Sequence, residues 1–425
     1  MRGPTFPRQV DASWGYGIQA LDLNVALARM LEAVSVPHRP EQISVTSAMG
    51  RVLAEDVRAP VSLPPFPASA MDGYALRSAD ASEQPPHAYT CIGVSSAGHP
   101  FTGDVPPGHC VRIFTGATVP ADLDAVAIQE DCDVSDHSVR VNELIRAGDN
   151  IREVGQDVHA GACIAQQGDV IGPFEIAWFT ACGLTSIPVQ IRPKVALLST
   201  GDELIEPGRP LAMGQIYDSN RAALKALLQD LPIELVDLGV IPDNPKATAT
   251  ALDQAAATSD LIMTTGGVSV GDADHVKAAV EERGELLLWR LNLKPGKPLA
   301  FGRIGRAHFL GLPGNPVSTI VTALLLARPL LLHLAGAAPA TVLRIKAALG
   351  GTIRHRPGRE EYQRGTLIAD GERVRVTVTG DQSSNRLASF RSANCLIRIP
   401  ADAADLQDGS LVEVLPFRGV LGPTR

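Results

Sequence analysis

The chain is poor in aromatic residues, in positive charge and in cysteine, and each scarcity removes a class of function. Aromatic side chains make up 4% of its 425 residues, too few to line a groove on which successive bases stack. Lysine and arginine number 38 against 46 aspartate and glutamate, a formal charge of -8. No general field therefore gathers polyanions, and nucleic acid is not an expected partner. Any anionic ligand is then held by a local cluster of cations. The cysteines (Cys91, Cys110, Cys132, Cys163, Cys182, Cys395) form no C-x-x-C pair and no zinc spacing, which predicts free thiols in a reducing compartment, the cytoplasm. No hydrophobic signal core stands near the amino terminus. The most apolar stretch, 320–335, is interrupted by Arg328-Pro329 and contains His333. It predicts a buried helix broken at that point, not a membrane span. Walker A, dinucleotide, nucleophile-elbow and H-E-x-x-H patterns are all missing, so covalent and zinc-hydrolase mechanisms have no support.

What is present alternates. Across residues 191–338, apolar runs at 195–198, 233–238, 261–263, 286–289 and 307–310 are separated by helical stretches at 221–229, 247–257 and 273–282. Ser219-Asn220 offers capping oxygens to one helix, and Asn315 followed by Pro316 marks the start of another. This order predicts a doubly wound, mostly parallel α/β domain. Residues 60–157 are rich in proline and glycine with short β-type runs, a β-rich inserted domain. Residues 21–59 and 158–190, with an amphipathic helix over 21–34 and a hairpin expected at 157–170, make a small linking domain. Residues 339–425 carry alternating runs at 342–348, 374–378, 396–399 and 411–414. They predict a small barrel or sandwich, with a C-terminal β-barrel the expected form. The fold class is multidomain, α/β plus β.

Three turns are expected to converge. Ser199-Thr200-Gly201-Asp202-Glu203, the segment 264–275, and Gly311-Leu312-Pro313-Gly314-Asn315-Pro316 each follow the carboxyl end of an expected strand. Open α/β sheets bind ligands at that edge, at a topological switch point. Glycines there let backbone N–H groups approach an anion, and a helix N-terminus favours negative charge. The carboxylates Asp272 and Asp274 of the second turn would repel a bare phosphate, so a metal ion is expected between them and the anion, with magnesium the fitting one, and Asp202 and Glu203 would line the same crevice. One such loop alone reads as a tight turn with solvated acids; three together read as a site for phosphate or oxyanion chemistry. Leu293-Lys294-Pro295-Gly296-Lys297-Pro298, with Arg290 upstream, adds rigidly held cations. Asp243 follows another strand and sits at the expected rim.

In order along the chain stand SAMDGYA (69–75), FTGA (114–117), NIREVGQD (150–157), STGDEL (199–204), TTGGVSVGDADHVK (264–277), LKPGKP (293–298) and GLPGNP (311–316). Together they resemble the molybdopterin molybdenumtransferase family, the MoeA and gephyrin E-domain group, from Leu21 to the carboxyl terminus. The resemblance implies the last step of molybdenum cofactor assembly. Molybdenum from molybdate is inserted at the dithiolene sulfurs of adenylylated molybdopterin, AMP is released, and Mg2+ or a similar divalent cation assists. It also implies an elongated four-domain homodimer, with each site formed between the α/β domain of one subunit and the β-rich insert of the other. Carried onto matching positions, it implies catalytic roles for Asp72, Thr115, Asp157, Glu203, Asp243, Asp274 and Lys294, with Glu203 and Asp274 on the metal. Substrate contacts are implied for Gly266, Gly267, Ser269, Gly271, Arg290, Lys297, Pro313, Pro316 and Ser384. Arg290 departs from the family, where lysine is usual, but arginine keeps the charge and can grip an oxyanion through two bonds. Two rival readings stand beside this one: a molybdopterin adenylyltransferase, which uses a similar α/β domain, and a non-catalytic pterin-binding scaffold.

Overall fold

The amphipathic stretch near the start of the chain forms α1 (Leu23–Ala33), whose buried Leu23, Ala26 and Met30 share one face. The computed structural model describes residues 20–267, 275–339, 341–371 and 373–418. Beyond α1, Pro40–Ser44 pairs antiparallel with Ser186–Gln190, and α2 (Pro173–Ala181) packs beside them. The chain leaves this layer through Val57–Arg58 and returns through Cys163–Ala165, which pair with each other. The hairpin expected at 157–170 is therefore replaced by pairing with a strand about 100 residues upstream. Between exit and return lies a six-stranded sheet built from strands between Gly73 and Val141. Its two apolar faces are covered separately, one around Tyr74, Leu76 and Tyr89, the other around Val111, Ile113 and Val126.

A second sheet contains β1 (Lys194–Thr200), β2 (Glu234–Ile241), β3 (Leu261–Thr265), β4 (Gly284–Arg290), β5 (Pro298–Ile304) and β6 (Ala307–Leu312), in the order β2-β1-β3-β6-β5-β4. The first four strands of that order are parallel, β5 pairs antiparallel with β6, and β4 pairs antiparallel with β5. All five residues of β3 are buried, as a strand covered on both faces requires. Alternate residues point to opposite sides. Leu197, Met263 and Leu310 join α1 and α3 (Ser219–Leu228) in one core, while Leu198, Ile262 and Phe309 pack under α4 (Pro245–Thr258) and α5 (His275–Arg283). The cap of α3 is Asp218 rather than the Ser219-Asn220 pair, and its Oδ1 accepts the Arg221 N–H at 3.1 Å.

The expected break at Arg328-Pro329 does not occur. Helix α6 (Pro316–Thr322) passes through a π-helical turn, Ala323–Ala327, into α7 (Arg328–Leu334). A proline lacks a donor and crowds the carbonyl one turn before it; the widened turn just ahead of Pro329 accommodates both. By length and composition the 19-residue helix could cross a membrane, but 78% of its apolar window is buried in the fold, where Val317, Val321 and Leu326 belong to the main core.

Five strands form the C-terminal barrel: β7 (Ile345–Gly350), β8 (Glu360–Asp370), β9 (Arg373–Val378), β10 (Cys395–Ile399) and β11 (Leu411–Pro416). Pairing runs β8 to β9, β9 to β7, β7 to β11, β11 to β10, and β10 back to β8, which closes the ring. Leu293–Lys294 adds to β8 in parallel and joins this barrel to the α/β sheet.

Candidate active site

In chain order the α/β sheet grows from β1 to β2 on one side, then crosses to β3 on the other, so a crevice opens at the carboxyl ends of β1 and β3. The three turns meet there. The Gly266 N–H donates to the Leu312 carbonyl at 3.3 Å. The Asn220 amide donates to Thr265 Oγ1 at 2.9 Å and to the Gly314 carbonyl at 2.7 Å. Gly266 has φ +84, and a Cβ on it would lie 2.8 Å from the Thr200 carbonyl oxygen; at Gly267, with φ +66, a Cβ would lie 2.3 Å from Val276. Only glycine meets both demands. Ser269, Gly271, Asp272 and Asp274 lie outside the described residues.

Asp202, Glu203 and Asp243 are exposed. Glu203 folds back over Gly201, where a Cβ would meet its Oε2 at 2.6 Å. Asp202 Oδ1 accepts the Asp243 N–H at 2.9 Å, which ties the turn after β1 to the turn after β2. Behind them Arg221, 7% exposed, bonds Asp218 at 3.0 Å, both Asp237 oxygens at 2.7 Å, and Glu206. That clamp fixes the excursion following Glu203 to α3 and β2. Among the described residues no three metal-binding side chains cluster.

The cations lie along the junction with the barrel. Lys294 Nζ is 3.0 Å from Glu361 of β8. Arg290 closes β4, and its carbonyl accepts the Leu21 N–H at 3.1 Å; the Lys297 carbonyl accepts from Leu291 at 2.9 Å, with the side chain exposed. A cavity of 490 Å³ is lined by Lys294, Arg354, His355, Arg356, Arg359 and Glu361, with Asp405 completing it. Apart from Lys294 none of these was singled out in the sequence, although Arg354-His355-Arg356-Pro357-Gly358-Arg359 holds four basic residues around a Pro-Gly turn. That density in an acidic chain was the available signal.

Ser384, from the barrel, reaches the third turn of the crevice. Its carbonyl accepts the Val317 N–H at 3.0 Å and its hydroxyl accepts from the Asn315 amide at 3.1 Å. Asn315 does occupy the N-cap position of α6, yet its side chain makes no cap bond and bonds the barrel loop instead. The Pro313 carbonyl accepts the Thr319 hydroxyl at 2.6 Å, and Pro316 opens α6.

Asp72, Thr115 and Asp157 belong to the insert. Asp72 Oδ1 accepts the Thr115 N–H at 2.7 Å and its hydroxyl at 2.8 Å. Those bonds, backbone first, hold its pKa below the usual carboxylate range, helped by Arg112. Asp157 is exposed, its N–H on the Leu63 carbonyl at 2.9 Å. Among the described residues, no hydrogen bond or ion pair links these three to the α/β crevice.

Comparison with known proteins bears on all of these elements. Family models match the MoeA N-terminal region (domain I and II) over residues 21–183, a probable molybdopterin binding domain over 196–333, and the MoeA C-terminal region (domain IV) over 346–417. A molybdopterin molybdenumtransferase of Haemophilus influenzae is 38% identical over 405 residues, covering 95% of this chain and 100% of that protein. The chain belongs to the MoeA family. A gephyrin of Dictyostelium discoideum is 32% identical across 90% of this chain, which spans 60% of that longer protein. The crystal structure of a molybdopterin biosynthesis MoeA protein from Pyrococcus horikosii superposes with a TM-score of 0.78 at 29% identity, over 94% of this chain and 99% of that one. In this MoeA-family chain the match to the probable molybdopterin binding domain contains all three converging turns. The match to the MoeA C-terminal region contains the barrel that supplies Ser384 and most of the basic cavity.

Proposed function

We propose that this chain inserts molybdenum from molybdate into adenylylated molybdopterin and releases AMP. The broader statement rests on the family: several relatives carry the name molybdopterin molybdenumtransferase across most of this chain, and the chain is a transferase of molybdenum cofactor biosynthesis. The observation that carries the finer reading is the meeting of three glycine-bearing turns at the switch point. Backbone that can approach closely, at strand ends, suits a pyrophosphate. Exposed Glu203, with Asp274 of the neighbouring turn, would hold Mg2+. That ion keeps several waters and takes one or two carboxylates besides phosphate oxygens, so no cage of three protein ligands is needed. When bound, it supplies a positive charge against the negative charge that develops as AMP departs.

The chain's own groups do the rest. Lys294, Lys297 and Arg290 offset the charge of a tetrahedral dianion. Arg354, Arg356 and Arg359 line the basic cavity and are exposed, able to offer forked donors to oxyanion oxygens. Asp72, held ionised by Thr115, and Asp157 complete the site from the insert of a second subunit in a homodimer. No nucleic acid or membrane takes part. The reaction belongs in the cytoplasm, a setting that suits six free cysteines.

The test uses purified full-length protein with adenylylated molybdopterin, Mg2+ and molybdate, and AMP is quantified by chromatography. Molybdate-dependent AMP release is expected, falling on the order of 100-fold in Glu203→Ala. AMP release indifferent to both molybdate and Glu203→Ala overturns the proposal. Transfer of AMP from ATP onto the pterin would instead identify an adenylyltransferase.

A further inference from the structure

Glu361 is 2% exposed, in a cavity otherwise dominated by cations. Its Oε1 accepts from Lys294 Nζ at 3.0 Å and from Gln363 Nε2 at 2.9 Å, and its Oε2 from His355 Nδ1 at 3.0 Å. Burial alone would raise its pKa, but the bonds from Gln363, Lys294 and His355 outweigh burial and hold it down. An ionised acceptor fixes the histidine tautomer, with Nδ1 carrying the shared proton. The His355 N–H is anchored in turn on Asp405 Oδ1 at 2.8 Å, and its Nε2 is buried without a partner. Lys294, by contrast, has half its side chain exposed on a four-carbon stem that samples many rotamers unless something holds it. The geometry points to Glu361 and His355 as positioning residues that hold the Lys294 ammonium at the wall of the oxyanion cavity. This rests on the proposed reading of that cavity as the molybdate site and goes beyond it by naming what orients the cation.

Two effects of removing the carboxylate oppose one another, and the opposition makes the test sharp. Glu361→Gln leaves the cavity more positive, which by itself tightens anion binding. It also offers one acceptor oxygen where three donors converge, so Lys294 loses its anchor. If positioning governs, molybdate binding weakens despite the added positive charge. Equilibrium dialysis of the full-length protein with molybdate is expected to show about a tenfold higher Kd for Glu361→Gln. His355→Leu matches it, and His355→Asn, whose amide overlays Nδ1–H, binds like wild type. In a Lys294→Met background Glu361→Gln is expected to add no further loss, because its effect passes through Lys294. Tighter binding in Glu361→Gln, or the same tenfold loss without Lys294, overturns the inference. Modification by acetic anhydride, read by mass spectrometry at Lys294, decides it even if wild type binds no molybdate and the functional reading falls. Faster acetylation of Lys294 in Glu361→Gln than in wild type supports the tether, and equal rates refute it.

Discussion

Asp72 illustrates how a surface carboxylate acquires a fixed charge. Two donors from Thr115 converge on one oxygen, and each favours the ionised form over the protonated one. A depressed pKa means that whatever depends on the anion persists below the ordinary carboxylate range and disappears only as pH falls through the lowered value. Thr115→Val removes the hydroxyl but leaves the backbone donor, which is the larger contribution. The acidic limb of the rate–pH profile is therefore expected to move partway toward the normal aspartate value, and an unmoved limb would separate Asp72 from the chemistry. Gly267→Ala tests the crevice in the same manner. Its positive φ and the 2.3 Å approach to Val276 are expected to cost about 1–3 kcal/mol in urea unfolding. At this scale the sequence is ambiguous: Asp72 beside Gly73 reads as an ordinary turn, and nothing local says that Thr115, 43 residues on, will cap it. Only the family resemblance singled the pair out.

Elements were more legible, because a repeated pattern accumulates signal that a single residue lacks. The apolar runs that became β1, β3 and β6 and the periodic stretches that became α3 and α4 stood out. Strand β5 was missed because no helix separates it from its neighbours, and β8 because Glu360-Glu361-Tyr362-Gln363-Arg364 looks polar although every one of them is buried. Each is satisfied by pairing with its neighbours in the sheet, β5 with β6 and β4 and β8 with β9 and β10, a context that residue type alone does not reveal. The cap of α3 shows the same dependence. Asp218 is 3% exposed and serves both the helix start and the Arg221 clamp, so Asp218→Ala is expected to cost about 2 kcal/mol by chemical denaturation. Within that clamp, burial alone would raise the Asp237 pKa, but hydrogen bonds from Lys225 and Arg221 bring it to about 2. The group is depressed, so its stabilisation is complete above the unfolded value of about 4 and fades as pH falls toward the folded one. The stability gap between wild type and Asp237→Asn is expected to shrink between about pH 4 and pH 2; a gap unchanged across that window contradicts the clamp.

At the scale of the whole molecule, the insert and the crevice carry separate parts of one proposed site, and a homodimer is what would unite them. Mixing Asp72→Ala with Glu203→Ala protein tests this directly. After subunit exchange half the dimers are mixed and each regains one intact site, so recovery of about a quarter of wild-type activity is expected. No recovery despite demonstrated exchange would confine each site to a single chain.

Where the chain departs for the insert and comes back, Ala59 and the segment around Ala162 are bound together by two backbone hydrogen bonds of 2.9 and 2.8 Å. The severed ends would thus already be neighbours if everything between them were cut away. A short glycine-rich splice could heal the gap without disturbing the remaining core, producing a miniature that still folds but has lost one half of its catalytic equipment. The same adjacency makes this junction a natural port at which foreign modules could be grafted.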